Sequence, residues 1–77
     1  MLVHPDGFTP PDDEKVWEVK KGTRTAVLWQ RLHPLGLELR LDVNGDMRST
    51  RVEKTVDGAR EAGADMLAVL LEKGWAE

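Results

Sequence analysis

The run Leu37-Glu38-Leu39-Arg40-Leu41-Asp42-Val43, followed at once by Asn44-Gly45, constrains this chain more than any other feature. Side chains along a β-strand alternate between two faces, so the apolar residues point one way and the charges the other. A helix would spread the same residues around its circumference. Asn-Gly accepts positive φ at both central positions of a two-residue hairpin turn, so the chain is predicted to reverse there into a partner strand. The apolar side needs a core. What the charged side meets is the functional question.

Three more runs read as strands: Lys15–Lys20, Thr23–Leu32 and Asp46–Glu53. The links Lys21-Gly22, His33–Gly36 and Asn44-Gly45 are short, which makes sequential strands antiparallel neighbours. A helix is predicted over about Val56–Lys73, capped at its start by Thr55 or Asp57. Ala59, Ala62, Gly63, Met66, Leu67 and Leu70 share one of its faces at a 3.6-residue period. Gly74 suits a Schellman stop, after which Trp75 packs back near Leu70. Residues 1–14 are rich in Pro, Asp and Gly and read as a flexible N-terminal arm. Residues 15–77 form the single domain. The expected fold class is α+β, a four-stranded antiparallel meander sheet followed by one C-terminal helix packed on one face (ββββα).

At 77 residues the chain is near the lower size at which one apolar core holds a fold unaided, and self-association is a common remedy. With no cysteine there is neither a disulfide framework nor a thiolate metal site. The N-terminus lacks a basic region followed by an apolar run, and Met66–Leu71 is too short to span a bilayer. The expectation is a cytoplasmic protein with no membrane partner. The net charge of −3 is segregated: acidic over residues 1–14 and 55–77, basic over 15–54. Such asymmetry marks a surface for an anionic partner or neutralises itself internally.

Nothing in the chain carries catalytic chemistry. His4 and His33 each precede a proline in a predicted turn, and no Cys/His cluster has metal-ligand spacing. Ser49 lacks the glycines of a nucleophile elbow. Asp42, Asn44 and Asp46 lack the distal Glu of a calcium loop. The glycines form no phosphate-binding loop. The expectation is a non-enzyme with no metal and no small-molecule cofactor.

Simple loops predict a register. Leu32, Leu28 and Ala26 pair with Leu37, Leu41 and Val43; Trp29 pairs with Arg40, Arg31 with Glu38, Trp17 with Ala26 and Val16 with Val27. In the last hairpin Leu37 pairs with Val52 and Glu38 with Arg51; a bulged turn at Asn44-Gly45 is the alternative and would bring Met47 into the core. The inner face is then Trp17, Val19, Ala26, Leu28, Leu32, Leu37, Leu39, Leu41, Val43 and Val52. Gln30, Arg24 and Arg48 also land inside, as misfits. The outer face carries an Arg31–Glu38–Arg51 ladder, with Ser49 and Met47 beside it. It also carries an apolar patch of Val16, Val27 and Trp29 next to Arg40.

A bare tryptophan on an open sheet invites association. The candidate partner-binding residues are therefore Val16, Val27, Trp29, Arg31, Arg40 and Arg51. They suit a second copy in a homodimer or another protein. The N-terminal arm, through Leu2, Val3 or Phe8, is the internal alternative. The remaining alternative is single-stranded nucleic acid, with bases stacked on Trp29 and phosphates on the arginines. The β-β-β-β-α order resembles in layout one repeat of the Whirly-type single-stranded DNA binders, and no residue is carried over from that likeness.

Overall fold

The computed structural model describes residues 14–77. The expected arm falls outside them, apart from Glu14, which opens the first strand. The strands are β1 (Glu14–Lys21), β2 (Arg24–His33), β3 (Gly36–Val43) and β4 (Asp46–Glu53), followed by helix α1 (Val56–Glu72). They form one antiparallel sheet in the order β1-β2-β3-β4. The helix packs on one face, so the architecture is the predicted ββββα.

The turns account for the order. Asn44 and Gly45 take φ of 54° and 85°, the left-handed pair of a tight hairpin. The Asn44 amide oxygen accepts from the Thr25 N–H at 3.0 Å, and the Asn44 N–H donates to the Thr25 carbonyl at 2.8 Å. The β3–β4 turn is thus tied to the start of β2. Between β2 and β3, His33 pairs with Gly36. Gly36 has φ +144°, and a Cβ there would overlap the carbonyl oxygen of Glu53, so no other residue fits.

The central pairing agrees with expectation at every position: Ala26 with Val43, Leu28 with Leu41, Trp29 with Arg40, Arg31 with Glu38 and Leu32 with Leu37. The two outer hairpins differ. The β1–β2 turn uses Gly22-Thr23, one residue later than predicted, so Trp17 pairs with Leu28 rather than Ala26, and Glu18 rather than Val16 pairs with Val27. A bulge then leaves Val16 unmatched between Lys15, opposite Trp29, and Trp17. In β4 the turn has its predicted two residues, but a second bulge at Arg48 shifts everything beyond it by one. Leu41, Leu39 and Leu37 consequently oppose Ser49, Arg51 and Glu53, and Glu38 opposes Val52. Met47 lies on the turn side of that bulge, pairs with Asp42 and stays outside the core.

The core has two connected parts. Leu28, Leu37 and Leu39 meet Ala59 and Ala62 of the helix, with Trp17, Leu41 and Met66 against them. Gly63 lets the helix approach closely, and its carbonyl accepts the Trp17 indole N–H at 3.1 Å. The second part is Val19, Ala26 and Trp75, flanked by Leu67 and Leu70. Its closure begins with the predicted Schellman motif: Gly74 at φ +99°, Trp75 N–H to the Leu70 carbonyl, and Gly74 N–H to the Leu71 carbonyl. Ala76 then pairs with Lys20 on the outer edge of β1 through backbone bonds of 2.7 and 2.9 Å. At the other end of the helix the Thr55 hydroxyl accepts from the Gly58 N–H at 2.9 Å.

Two of the three misfits find a place. Arg24 lies 5.3 Å over the Trp75 ring. Gln30 lines a hollow of about 460 Å³ between β1 and the helix, together with Trp17, Val16, Val56 and Leu67. Arg48 is the bulge residue of β4, and it is exposed.

Candidate interaction face

The face of the sheet turned away from α1 is built from the alternate residues of each strand. Its two central rows follow from the pairing. One row is Lys15, Trp29, Arg40 and Thr50; the next is Glu18, Val27, Asp42 and Met47. Arg31, Glu38 and Val52 extend it on one side, Lys20 and Thr25 on the other. α1 leaves the sheet on the opposite side, so among the described residues no element lies over these rows.

Of the six residues that sequence reasoning put on this face, four are there. Trp29 and Val27 stand on adjacent rows of β2, both half-buried. Arg40 stands opposite Trp29, and Arg31 opposite Glu38. The other two are elsewhere, for one physical reason: a bulge inserts one unpaired residue and turns the following side chains over. Val16 is the unpaired residue of β1, and it lines the hollow on the helix side. Arg51 sits opposite the buried Leu39 on the helix face and pairs with Glu53 at 2.6 Å. Of the expected three-strand charge ladder the Arg31–Glu38 step is present, at 3.8 Å, and Val52 takes the place expected for Arg51. Ser49 moves with Arg51 to the helix side.

The same bulges bring to the face residues that alternation alone excluded. Lys15 gains it, and its ammonium lies 2.9 Å from the Glu18 carboxylate, on the neighbouring row. That hydrogen bond, and then the ammonium's charge, hold the Glu18 carboxyl below its ordinary pKa. Thr50 and Val52 gain it on β4. The legible signal in β1 was the adjacent apolar pair Val16-Trp17, which strict alternation cannot place on one side and a bulge can.

The face is charged in a pattern. Lys15 and Arg40 flank Trp29, while Glu18 and Asp42 flank Val27, so a cationic row lies beside an anionic one. Between the two rows, Arg40 Nε and Asp42 Oδ1 are 3.2 Å apart. Both atoms are shielded from solvent without the alignment of a hydrogen bond, which makes the contact electrostatic. The Lys15–Glu18 pair is the more exposed of the two and the more open to a third group.

Elsewhere, no cluster of three His, Cys, Asp or Glu side chains able to hold a metal ion occurs among the described residues. No helix among them is long and apolar enough to cross a membrane. No family model matches this chain, and neither a curated protein nor a solved structure does.

Proposed function

We propose that this is a small, non-catalytic cytoplasmic interaction module that associates with itself or with another protein through the outer face of its sheet, with Trp29 as anchor. The observation that carries the reading is the one-sided layering: α1 covers one face, while Trp29 and Val27 stand in the middle of the other. Trp29 is only half-buried by its own chain, and a central aromatic whose remaining surface is covered on association is the usual core of a contact. Arg31 and Arg40 set the polarity of the surrounding surface.

Single-stranded nucleic acid is the weaker reading on this geometry. Arg51 stands on the far face, Arg40 contacts Asp42, and Arg31 contacts Glu38. Phosphate would have to compete with carboxylates for each guanidinium on the Trp29 face.

The test compares Trp29→Glu with Val69→Glu, a control on the exposed part of the helix. Sedimentation and affinity capture are run on both. The reading requires association to be lost in the first variant and kept in the second. Association that survives Trp29→Glu overturns it. A labelled single-stranded oligonucleotide titrated at low and moderate salt decides the other reading, because phosphate contacts make binding strongly salt-dependent.

A further inference from the structure

We infer that the partner of this face is a second copy of the same chain, packed face to face about a two-fold axis that runs between the two central rows, perpendicular to the strands. The inference rests on the reading of the outer face as a contact surface. Its carrier is the self-complementarity of the rows. Rotation about that axis lays each row on its neighbour from the other copy. Lys15 then faces Glu18 of the other copy, Arg40 faces Asp42, and Trp29 lies against Val27. Thr50 meets Met47. Every charge in the two rows meets its opposite, and the central apolar residues Trp29 and Val27 meet each other. A two-fold contact must be self-complementary in this sense, with residue i on j and j on i.

The existing ion pairs, Lys15–Glu18 and Arg40–Asp42, would become two four-charge clusters rather than be broken. The outer edges of the sheet make strand addition a poorer route. Ala76 occupies part of the β1 edge, and β4 carries a bulge with exposed Arg48 and Arg51 beside it. Both are devices that discourage edge-to-edge pairing.

The size is sufficient for a weak dimer. Strands of 8 residues are about 26 Å long, and four of them side by side are about 19 Å wide. Two faces of about 500 Å² together reach about 1,000 Å², the lower limit for a specific interface. Aligned sheets of this kind stack about 10 Å apart, close enough for the side chains of the rows to interdigitate.

The experiment uses two charge reversals on the full chain, Lys15→Glu and Glu18→Lys, both at exposed or half-exposed side chains. Wild type is expected to dimerise reversibly in sedimentation equilibrium. Each reversal alone places like charges opposite each other twice, because the axis doubles every substitution, and weakens the dimer by at least about tenfold. Mixing the two variants one to one restores attraction at both sites, so a heterodimer near wild-type affinity is expected. Circular dichroism confirms that each variant is folded. A wild type that stays monomeric at high concentration overturns the inference, and means that the arm or a different protein covers the face. A dimer that neither variant weakens, or a mixture that does not recover, also overturns it. The broader reading of the face fails separately, when association persists in Trp29→Glu.

Discussion

Gly63→Ala tests how tightly the helix is seated on the sheet. Replacing glycine by alanine inside a helix gains about 1 kcal/mol from backbone entropy alone. Against this, a Cβ at Gly63 would stand 3.2 Å from Leu28 Cδ2 and 4.0 Å from Trp17 Nε1. Leu28 must give way by a few tenths of an ångström, yet it is fully buried between the sheet and Ala59 and Ala62. Moving the helix outward instead would stretch the 3.1 Å bond from the Trp17 indole to the Gly63 carbonyl. Overpacking of this kind costs about 1–3 kcal/mol, so the net is a loss of about 1 kcal/mol. In a domain this small that lowers the melting temperature by about 4–8 °C. Thermal unfolding followed by circular dichroism, at one fixed protein concentration because association shifts the midpoint, is the assay. Leu28→Val removes Cδ2. In that background Gly63→Ala should stabilise by about 1 kcal/mol, a coupling of about 2 kcal/mol around the cycle. A Gly63→Ala variant that melts several degrees above wild type would refute the reasoning, because the seam would then have slack.

Other outcomes follow from single contacts. Gly36→Ala forces a Cβ into the Glu53 carbonyl, and is expected to leave no cooperative unfolding transition, or one weakened by at least about 3 kcal/mol. Trp75→Ala should cost about 3–5 kcal/mol and raise the hydrogen-exchange rate of the Lys20 amide, which donates to Ala76, more than that of the central-strand amides. The Glu18 carboxyl, lowered by Lys15, should titrate by NMR below the ordinary glutamate value, and Lys15→Met should raise its midpoint. Because the folded pKa is depressed, the Lys15–Glu18 contribution is present above the unfolded pKa and is lost as pH falls through the folded one.

The centre of the sheet was legible because two independent signals agree there. The alternation of Leu37–Val43 assigns faces, and the turn residues assign register, so every β2–β3 pair is recoverable. The helix was legible from its apolar period, its Thr55 cap and its Gly74 stop. The outer strands were not, since each contains a single-residue bulge, and one residue is enough to turn a strand over. Val16-Trp17 offered a hint. Asp46–Glu53 offered none: its apolar residues, Met47 and Val52, are five apart and would lie on opposite faces of a regular strand, yet the bulge at Arg48 puts both outside. An edge strand contributes little to the core, so its hydrophobic pattern is only weakly specified. For the candidate face, this meant that Trp29, Val27, Arg31 and Arg40 were readable, while Arg51 and Val16 were misplaced and the Lys15–Glu18 contact was hidden.

The placement of the three tryptophans has a spectroscopic consequence. The chain contains no tyrosine and three tryptophans, so indoles dominate its near-ultraviolet absorption and emission. Trp17 is hydrogen-bonded at the sheet–helix seam, Trp75 is buried beneath Arg24, and Trp29 looks outward from the other side of the sheet. Trp29 stands alone on the open face, while Trp17 and Trp75 share the sheet–helix core. An event at the open face perturbs a single indole, loosening of the C-terminal closure chiefly Trp75, and global unfolding all three. Replacing tryptophans two at a time by phenylalanine would turn the protein into three separate optical reporters of its own parts.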